Sequence, residues 1–458
     1  MATKLVVDSR LVRPGDTFVA TVSEGSEFYR GENDREYKAP YKFNSHPYVN
    51  EAIKNGATTI VLSEKDYIDN DSFPEVKFIL VSDGIEYLGA AMKDLIDYYE
   101  KRVIAVTGST GKSSACEMVS HSLASYSYKH LSDRPTPISI PLRALNSEQF
   151  LHSKYVIIEM PMDGLGQIEK LCKITPPDVS VILNINSSHI VQLGSIENIL
   201  KAKTEIIENL KPRGVAILNN DDANLQNLIR TIRREKRLVY TFGVAPDSTV
   251  QITNFYWGSR GYNYELTHNS ISYTIESPYL GTSVGYSIAA AFSVALTFGI
   301  NPRLSATSLS SIQALPGRMS LLHGKSGEII LDDTRLATPQ STQSLLKAVL
   351  EVKDRRKILI QGPILRPYQH GAPEKYVLNE MSRFDKVVVF KSSDWSDSLD
   401  QFQIMPTKEE LLKWYKNNIN ADDLVVINGS ESVKMWEIVC DLVLPREREM
   451  VYNPNVHD

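Results

Sequence analysis

The sequence predicts an α/β protein of three successive domains, with a mostly parallel, doubly wound sheet at its centre. Three observations carry this: short apolar runs alternate with helical patterns almost from end to end, a glycine-rich turn joins a strand to a helix near residue 108, and Pro316-Gly317 breaks the chain before a further alternating set. The length of 458 residues suits three domains at roughly 100 to 200 residues each, with boundaries expected at 1–98, 99–315 and 316–458. Apolar residues at 42% and charged residues at 23% match ordinary globular chains and exclude disordered and membrane classes. A net charge of -5 supplies no general cationic field, so no nucleic acid is expected as a partner.

In the first domain, strands are expected at 4–7, 17–20 and 59–62, with a helix over 49–55 and a polar, turn-rich insertion from 25 to 46. The second opens on the apolar strand 103–106, turns through glycines, and starts a helix at Lys112; further strands read at 155–159 and 179–184. Alternating Thr, Tyr and Ile over 238–274 suggest a small antiparallel addition. Beyond Pro316-Gly317, strands at 328–331, 357–360, 386–390 and 424–427 alternate with helices. The longest nearly apolar run, 287–300, is too short to span a bilayer and reads as a buried helix. Three scattered cysteines, Cys116, Cys172 and Cys440, with no signal-peptide pattern at the N-terminus, point to a cytoplasmic protein.

The segment from Val103 to Ser114, V-I-A-V-T-G-S-T-G-K-S-S, is phosphate chemistry. Small residues at Gly108, Ser109, Thr110 and Gly111 let backbone N–H groups approach phosphate oxygens. The helix start adds positive potential, Lys112 a point charge, and the hydroxyls of Ser113 and Ser114 lie in its first turn, Ser113 suited to Mg2+. The strict pattern wants glycine where Val106 stands. Glu159 closes the strand 155–159, at the edge of a parallel sheet where ligands gather, and is a candidate magnesium ligand or a plain capping glutamate. Spacing alone leaves His189 an ordinary loop residue and Lys203 a solvated helix lysine.

These motifs, in this order, resemble the Mur ligase family, in particular its D-alanyl-D-alanine-adding branch. The family's TG(T/S)xGK(T/S) is met by Thr107 to Ser113 and its strand-end glutamate by Glu159. Its N(x)3-4H(x)4GS(x)nAK is met by Asn184, His189, Gly194-Ser195 and Ala202-Lys203, and its ILNxDD by residues 217–222. Pro316-Gly317-Arg318, the aspartate pair Asp332-Asp333, and an N-terminal Asp8-Ser9-Arg10 with 14–20 complete the likeness. The resemblance implies an N-terminal domain for a UDP-sugar peptide, a central P-loop ATPase, and a C-terminal Rossmann-like domain for the incoming dipeptide or amino acid. It makes Glu159 and His189 ligands of Mg2+, with two ions expected, and Lys203 a carbamate that serves as an anionic ligand. Arg318 and Asp333 are assigned to ATP from across the interdomain cleft; Ser9, Arg10, His46 and Arg335 are assigned to substrates. Small-molecule partners and a monomer are expected.

Several family segments are altered. The adenine-contacting run GxHNxxNAxAA reads Gly281 to Ala291 without its His and Asn residues, DGH becomes Asn44-Ser45-His46, and NxNxxGxP becomes 134–141. DDSYNANP becomes 332–339, GDMxELG becomes 362–368, and KGSR becomes 428–431. Two other readings therefore stand beside the first: a ligase of the same chemistry with another amine or carboxylate, such as a folylpolyglutamate-type or cyanophycin-type reaction, and a catalytically weak, nucleotide-binding paralogue.

Overall fold

The structure, a computed structural model, describes residues 4–23, 43–124, 127–130, 135–186, 190–258, 261–335, 337–353, 355–364, 375–390, 401–429, 434–451 and 453. His189, most of the 25–46 insertion, residues 365–368 and residues 430–431 lie outside the described residues. Contacts divide the chain into two compact units, Met1–Gln251 with Tyr286–Ser308, and Ile252–Gly285 with Leu309–Asp458.

The first unit holds two parallel sheets. Strands β1 (Leu5–Val6), β2 (Thr17–Val19), β3 (Thr59–Leu62) and β4 (Lys77–Leu80) pair in that order. Alternation along β2 and β3 sends Phe18, Ile60 and Leu62 into a cluster with Val49 and Ala52 of α1 (Val49–Lys54), while Val19 and Val61 face Leu88 of α2 (Gly84–Tyr98). Helix α2 starts where Asp83 caps it, its Oδ1 accepting the N–H groups of Ile85 at 2.6 Å and Glu86 at 3.0 Å. Glycine stands next because a Cβ at Gly84 would meet the Ala20 carbonyl oxygen at 2.1 Å. One turn beyond Leu88, the same helix sends Met92 and Ile96 into the core of the central sheet. Each such buried side chain contributes about 1.5–3 kcal/mol, so α2 ties the two sheets into one unit.

Among the described residues the central sheet has nine strands, of which six, β5 (Arg102–Thr107), β6 (Ser127–His130), β7 (Tyr155–Glu159), β8 (Val179–Ile182), β9 (Val215–Asn219) and β10 (Leu238–Gly243), run in the order β10-β9-β8-β5-β7-β6, all parallel. Helices α3 (Lys112–Ser122), α4 (Gln167–Ile174) and α5 (Ile196–Glu208) connect them. The chain leaves β5 toward β6 and β7 on one side and β8 to β10 on the other. The carboxyl end of β5 is therefore the switch point at which open α/β sheets bind ligands. Two expectations change here. Residues 238–243 join the parallel sheet, and the antiparallel pairing lies between β11 (Tyr262–His268) and β12 (Ile271–Ser277) in the second unit.

In the second unit, β13 (Ser320–His323), β14 (Ile329–Asp333), β15 (Lys357–Gln361), β16 (Lys386–Phe390), β17 (Gln403–Met405) and β18 (Leu424–Asn428) form a sheet of order β13-β14-β18-β15-β16-β17. Only β13 is antiparallel to its neighbour. Ile330, Ile358, Ile360, Val425 and Ile427 fill its core. In the first unit, the apolar run 287–300 contributes to the helix Thr282–Thr297, with Ala289, Ala290 and Ala291 fully buried. Among the described residues no helix is long and apolar enough to cross a membrane.

Candidate active site

Strand β5 ends at Thr107 and α3 begins at Lys112, so the chain reverses through 108–111. Gly111 precedes the helix at φ +80°, a left-handed conformation that glycine adopts without strain. Gly108 lies against β8's exit, where a Cβ would approach the Leu183 side chain to 3.0 Å. Ser109 is buried, while Thr110, Ser113 and Ser114 are exposed at the mouth of the loop.

Two lysines converge on one oxygen. Lys112 Nζ donates to the Gly108 carbonyl at 3.2 Å, and Lys203 Nζ donates to the same carbonyl at 3.0 Å. Lys203 is 1% exposed because Ile199, Ala202 and Ile206 share its face of α5, a spacing that places all four on the core side. Burial first, and the neighbouring Lys112 charge second, bring its pKa down from 10.5 to about 7, with Asp163 acting in the opposite sense. A large share of Lys203 is therefore neutral amine near neutral pH.

On the other side of the loop, Ser113 Oγ donates to Glu159 Oε2 at 2.7 Å. Two bonds hold this glutamate's strand end in place: Met160 N–H to the Val106 carbonyl at 2.8 Å, and Thr107 Oγ1 to the Met160 carbonyl at 2.8 Å. Among the described residues no three His, Cys, Asp or Glu side chains converge as a ready metal cluster. A hydroxyl and a carboxylate in contact beside a helix N-terminus are nevertheless the oxygen donors that Mg2+ takes when phosphates supply the rest, so these residues fit that ion. Glu159→Ala is expected to lower Mg2+-dependent phosphate release by about a hundredfold or more, without recovery at higher ATP. A magnesium titration checks this, and ordinary activity at ordinary magnesium removes Glu159 from the site.

In the second unit, Asp333 is nearly buried at the end of β14. It accepts Met319 N–H on Oδ1 at 3.2 Å and Asn428 Nδ2 on Oδ2 at 2.9 Å. Burial raises its pKa to about 6, against the lowering effects of those two bonds and of the Arg318 charge. Arg335 N–H donates to the Gly317 carbonyl at 3.1 Å, so Arg318, Asp333 and Arg335 gather round one turn.

The N-terminal candidates separate. Arg10 is exposed and paired with Asp8 at 2.7 Å, whereas Ser9 is buried with its hydroxyl on Glu51 at 2.8 Å. His46, expected at a substrate, is engaged within the domain. Its ring is 0% exposed, Nε2 accepts Ser63 N–H at 2.9 Å, and Nδ1 lies 2.7 Å from Asn44 Oδ1. An accepting Nε2 places the proton on Nδ1, and burial lowers the pKa, so His46 is a neutral ring pinning 44–46 to the end of β3.

Residues 106–295 match the Mur ligase middle domain. Over 420 residues the chain is 27% identical to the UDP-N-acetylmuramoyl-tripeptide--D-alanyl-D-alanine ligase of Bacillus subtilis (strain 168), covering 88% of each. The chain thus carries a Mur ligase middle domain. Its fold is that of MurF ligase from Thermotoga maritima, solved in complex with ADP, at TM-score 0.70 and 24% identity over 95% of this chain and 96% of that one. A folylpolyglutamate synthase from Mycobacterium tuberculosis, complexed with ADP and AMPPCP, shares less, with TM-score 0.53 and 18% identity over 75% of this chain and 92% of that one. The sequence alone gave no role to Asp163, whose charge acts on Lys203, or to Asn184 and the 219–222 run. Asp163 follows β7, and Asn184 and 219–222 follow β8 and β9, all at the carboxyl edge of the sheet, and that placement was the available signal.

Proposed function

We propose that this protein is a Mur ligase that joins D-alanyl-D-alanine to UDP-N-acetylmuramoyl-tripeptide, with conversion of ATP to ADP and phosphate. The observation that carries the reading is the convergence of Lys112, Lys203, Ser113 and Glu159 on one phosphate loop, in a chain aligned over 88% of its length with a relative named for that reaction. The γ-phosphoryl group of ATP passes to the substrate carboxylate. The amine nitrogen then attacks the acyl carbon, the C–O bond to phosphate breaks, and the nitrogen loses a proton. The α3 N-terminus and Lys112 hold the phosphates in line for that transfer. Ser113 and Glu159 would hold Mg2+, which when bound neutralises charge on the transferring group.

Lys203 is assigned a carbamate: its neutral amine adds CO2, an N–C bond forms and a proton leaves. The carbamate oxygens, with His189, would serve a second Mg2+. An amine with a pKa of about 7 is the reactive state for that addition. Arg318 and Asp333 are assigned to the nucleotide, exposed Arg10 to the UDP-sugar peptide, and Arg335 to the substrate. The protein is assigned to the cytoplasm as a monomer.

Phosphate release by the purified protein with Mg-ATP and UDP-N-acetylmuramoyl-tripeptide, with and without D-alanyl-D-alanine, tests the reading. Release that depends on both substrates is expected; release indifferent to the dipeptide overturns it. A second reading, another amine at the same chemistry, is favoured by the neutral Asp333-neighbouring row of Asn428 and Gln361, where Gln361 Nε2 donates to Asn428 Oδ1 at 2.8 Å. The same assay with alternative amines separates the two.

A further inference from the structure

Strands β5 and β8 end at Thr107 and Ile182, but the pairing between their continuations does not stop there. Leu183 N–H donates to the Thr107 carbonyl at 3.0 Å, and Ser109 N–H donates to the Asn184 carbonyl at 3.0 Å. Where the loop bends away, side chains replace the missing backbone partners. Asn184 Oδ1 accepts Thr110 N–H at 3.0 Å, its Nδ2 donates to the Thr110 carbonyl at 3.1 Å, and the Thr110 hydroxyl adds a bond to Oδ1 at 3.3 Å. One amide group thus pairs with both backbone groups of Thr110, as a neighbouring strand would. Ser109 Oγ accepts Asn186 N–H at 2.9 Å and donates to the Asn186 carbonyl at 3.4 Å.

The far side of 183–186 is fixed as well. Asn219 Nδ2 donates to the Leu183 carbonyl at 3.0 Å, Asp222 Oδ2 accepts Ile185 N–H at 2.6 Å, and Asn224 Nδ2 donates to the Ile185 carbonyl at 3.2 Å. The segment is clamped between the phosphate loop and the turn after β9, so it can impose its geometry on the loop instead of following it.

We infer that Asn184 is a positioning residue that presets the phosphate loop for nucleotide before nucleotide arrives. The inference rests on the reading that this loop holds the phosphates of ATP. Ser109 and Thr110 N–H groups are committed to residue 184 and do not serve the ligand. Phosphate contact falls to the first-turn N–H groups from Gly111 to Ser114, which no earlier helical carbonyl can accept. A loop already in its binding conformation does not lose that conformational freedom on association, so the amide's contribution appears in nucleotide affinity.

The test measures Mg-ADP binding by calorimetry to the full-length wild type, Asn184→Ala and Asn184→Asp, with amide hydrogen exchange on the wild type. Asn184→Ala is expected to weaken Mg-ADP by about tenfold, the loss of two to three hydrogen bonds. Asn184→Asp is expected to weaken it further, because a carboxylate cannot donate to the Thr110 carbonyl and adds negative charge beside the phosphates. In turnover, KM for ATP should rise by a larger factor than kcat falls, with KM for the other two substrates near wild type. In the nucleotide-free wild type, Ser109 and Thr110 amides should already be protected, whereas Gly111 to Ser114 gain protection only with Mg-ADP. Unprotected Ser109 and Thr110 amides, or wild-type Mg-ADP affinity in both variants, overturn the inference. A wild type that does not bind Mg-ADP overturns the phosphate-loop reading itself, and the exchange of Ser109 and Thr110 still decides whether Asn184 holds the loop. The exchange measurement needs no variant, so misfolding of Asn184→Ala leaves the inference open to refutation.

Discussion

Lys112→Ala is expected to reduce ATP turnover by on the order of 10²–10³-fold or more while leaving the thermal midpoint near that of the wild type. The side chain sits at the mouth of the loop, half-buried, and its described bond is a single donation to the Gly108 carbonyl. Little packing is lost on its removal. On the proposed function, what is lost is an ammonium beside the charge that grows as the phosphoryl group transfers, where a preorganised donor has its largest effect. A second consequence follows from Lys203, whose pKa the Lys112 charge helps to depress. Without Lys112 the Lys203 amine holds its proton to higher pH, so less of it is available to CO2 at neutrality. Phosphate release and a melting curve on the same preparation check the prediction. Wild-type turnover in a folded Lys112→Ala protein removes the loop from the chemistry.

Lys203→Ala is expected to be almost inactive and to regain part of its activity with short carboxylic acids, not with added amines. A free ammonium has donors only and cannot ligate a cation, whereas a carbamate or an added carboxylate presents anionic oxygens. Recovery by acetate or formate in phosphate-release assays would identify an oxygen function at this position. Full turnover of Lys203→Ala in CO2-depleted buffer returns it to a plain buried lysine. The pKa carries its own signature in the metal-free protein. Between about 7 and 10.5 the unfolded chain holds a proton on Lys203 that the folded chain has shed, so unfolding binds protons and stability rises with pH across that window. Lys203→Met should lose this part of the pH dependence, measured as the difference between the two proteins' denaturation midpoints.

The strand, turn and helix around 108–111 were legible because their signal is local: glycines, lysine and serine occupy adjacent positions between a strand and a helix. The placement of Glu159 beside that turn was legible for a related reason, since a carboxylate ending an apolar strand lies at the edge of a parallel sheet where ligands gather. Lys203 was not, although Ile199, Ala202 and Ile206 lie on its stripe, because a single lysine on an apolar stripe reads as a side chain reaching out to solvent. Its burial depends on the Gly108 carbonyl, 95 residues away in the chain. The packing of His46 was not legible either, since Asn44 is two residues away but Ser63, whose N–H meets its other nitrogen, arrives only when β3 is in place. The pairing of Asn184 with Thr110 spans 74 residues, and no spacing rule connects such positions.

Helix α2 carries a further implication for how such chains can be cut and rejoined. Its first half belongs to the N-terminal sheet through Leu88, and its second half fills the central core with Met92 and Ile96. A crossover at residue 98, where the alternating pattern changes, would take from the ATP-binding half a helix that its own core requires. An exchange of the N-terminal module between relatives therefore has its natural junction ahead of Asp83, where the chain is extended and the cap has not yet formed. With that junction the helix travels with the core it completes, and the part of the interface carried by Leu88 must be matched by whichever sheet is grafted on.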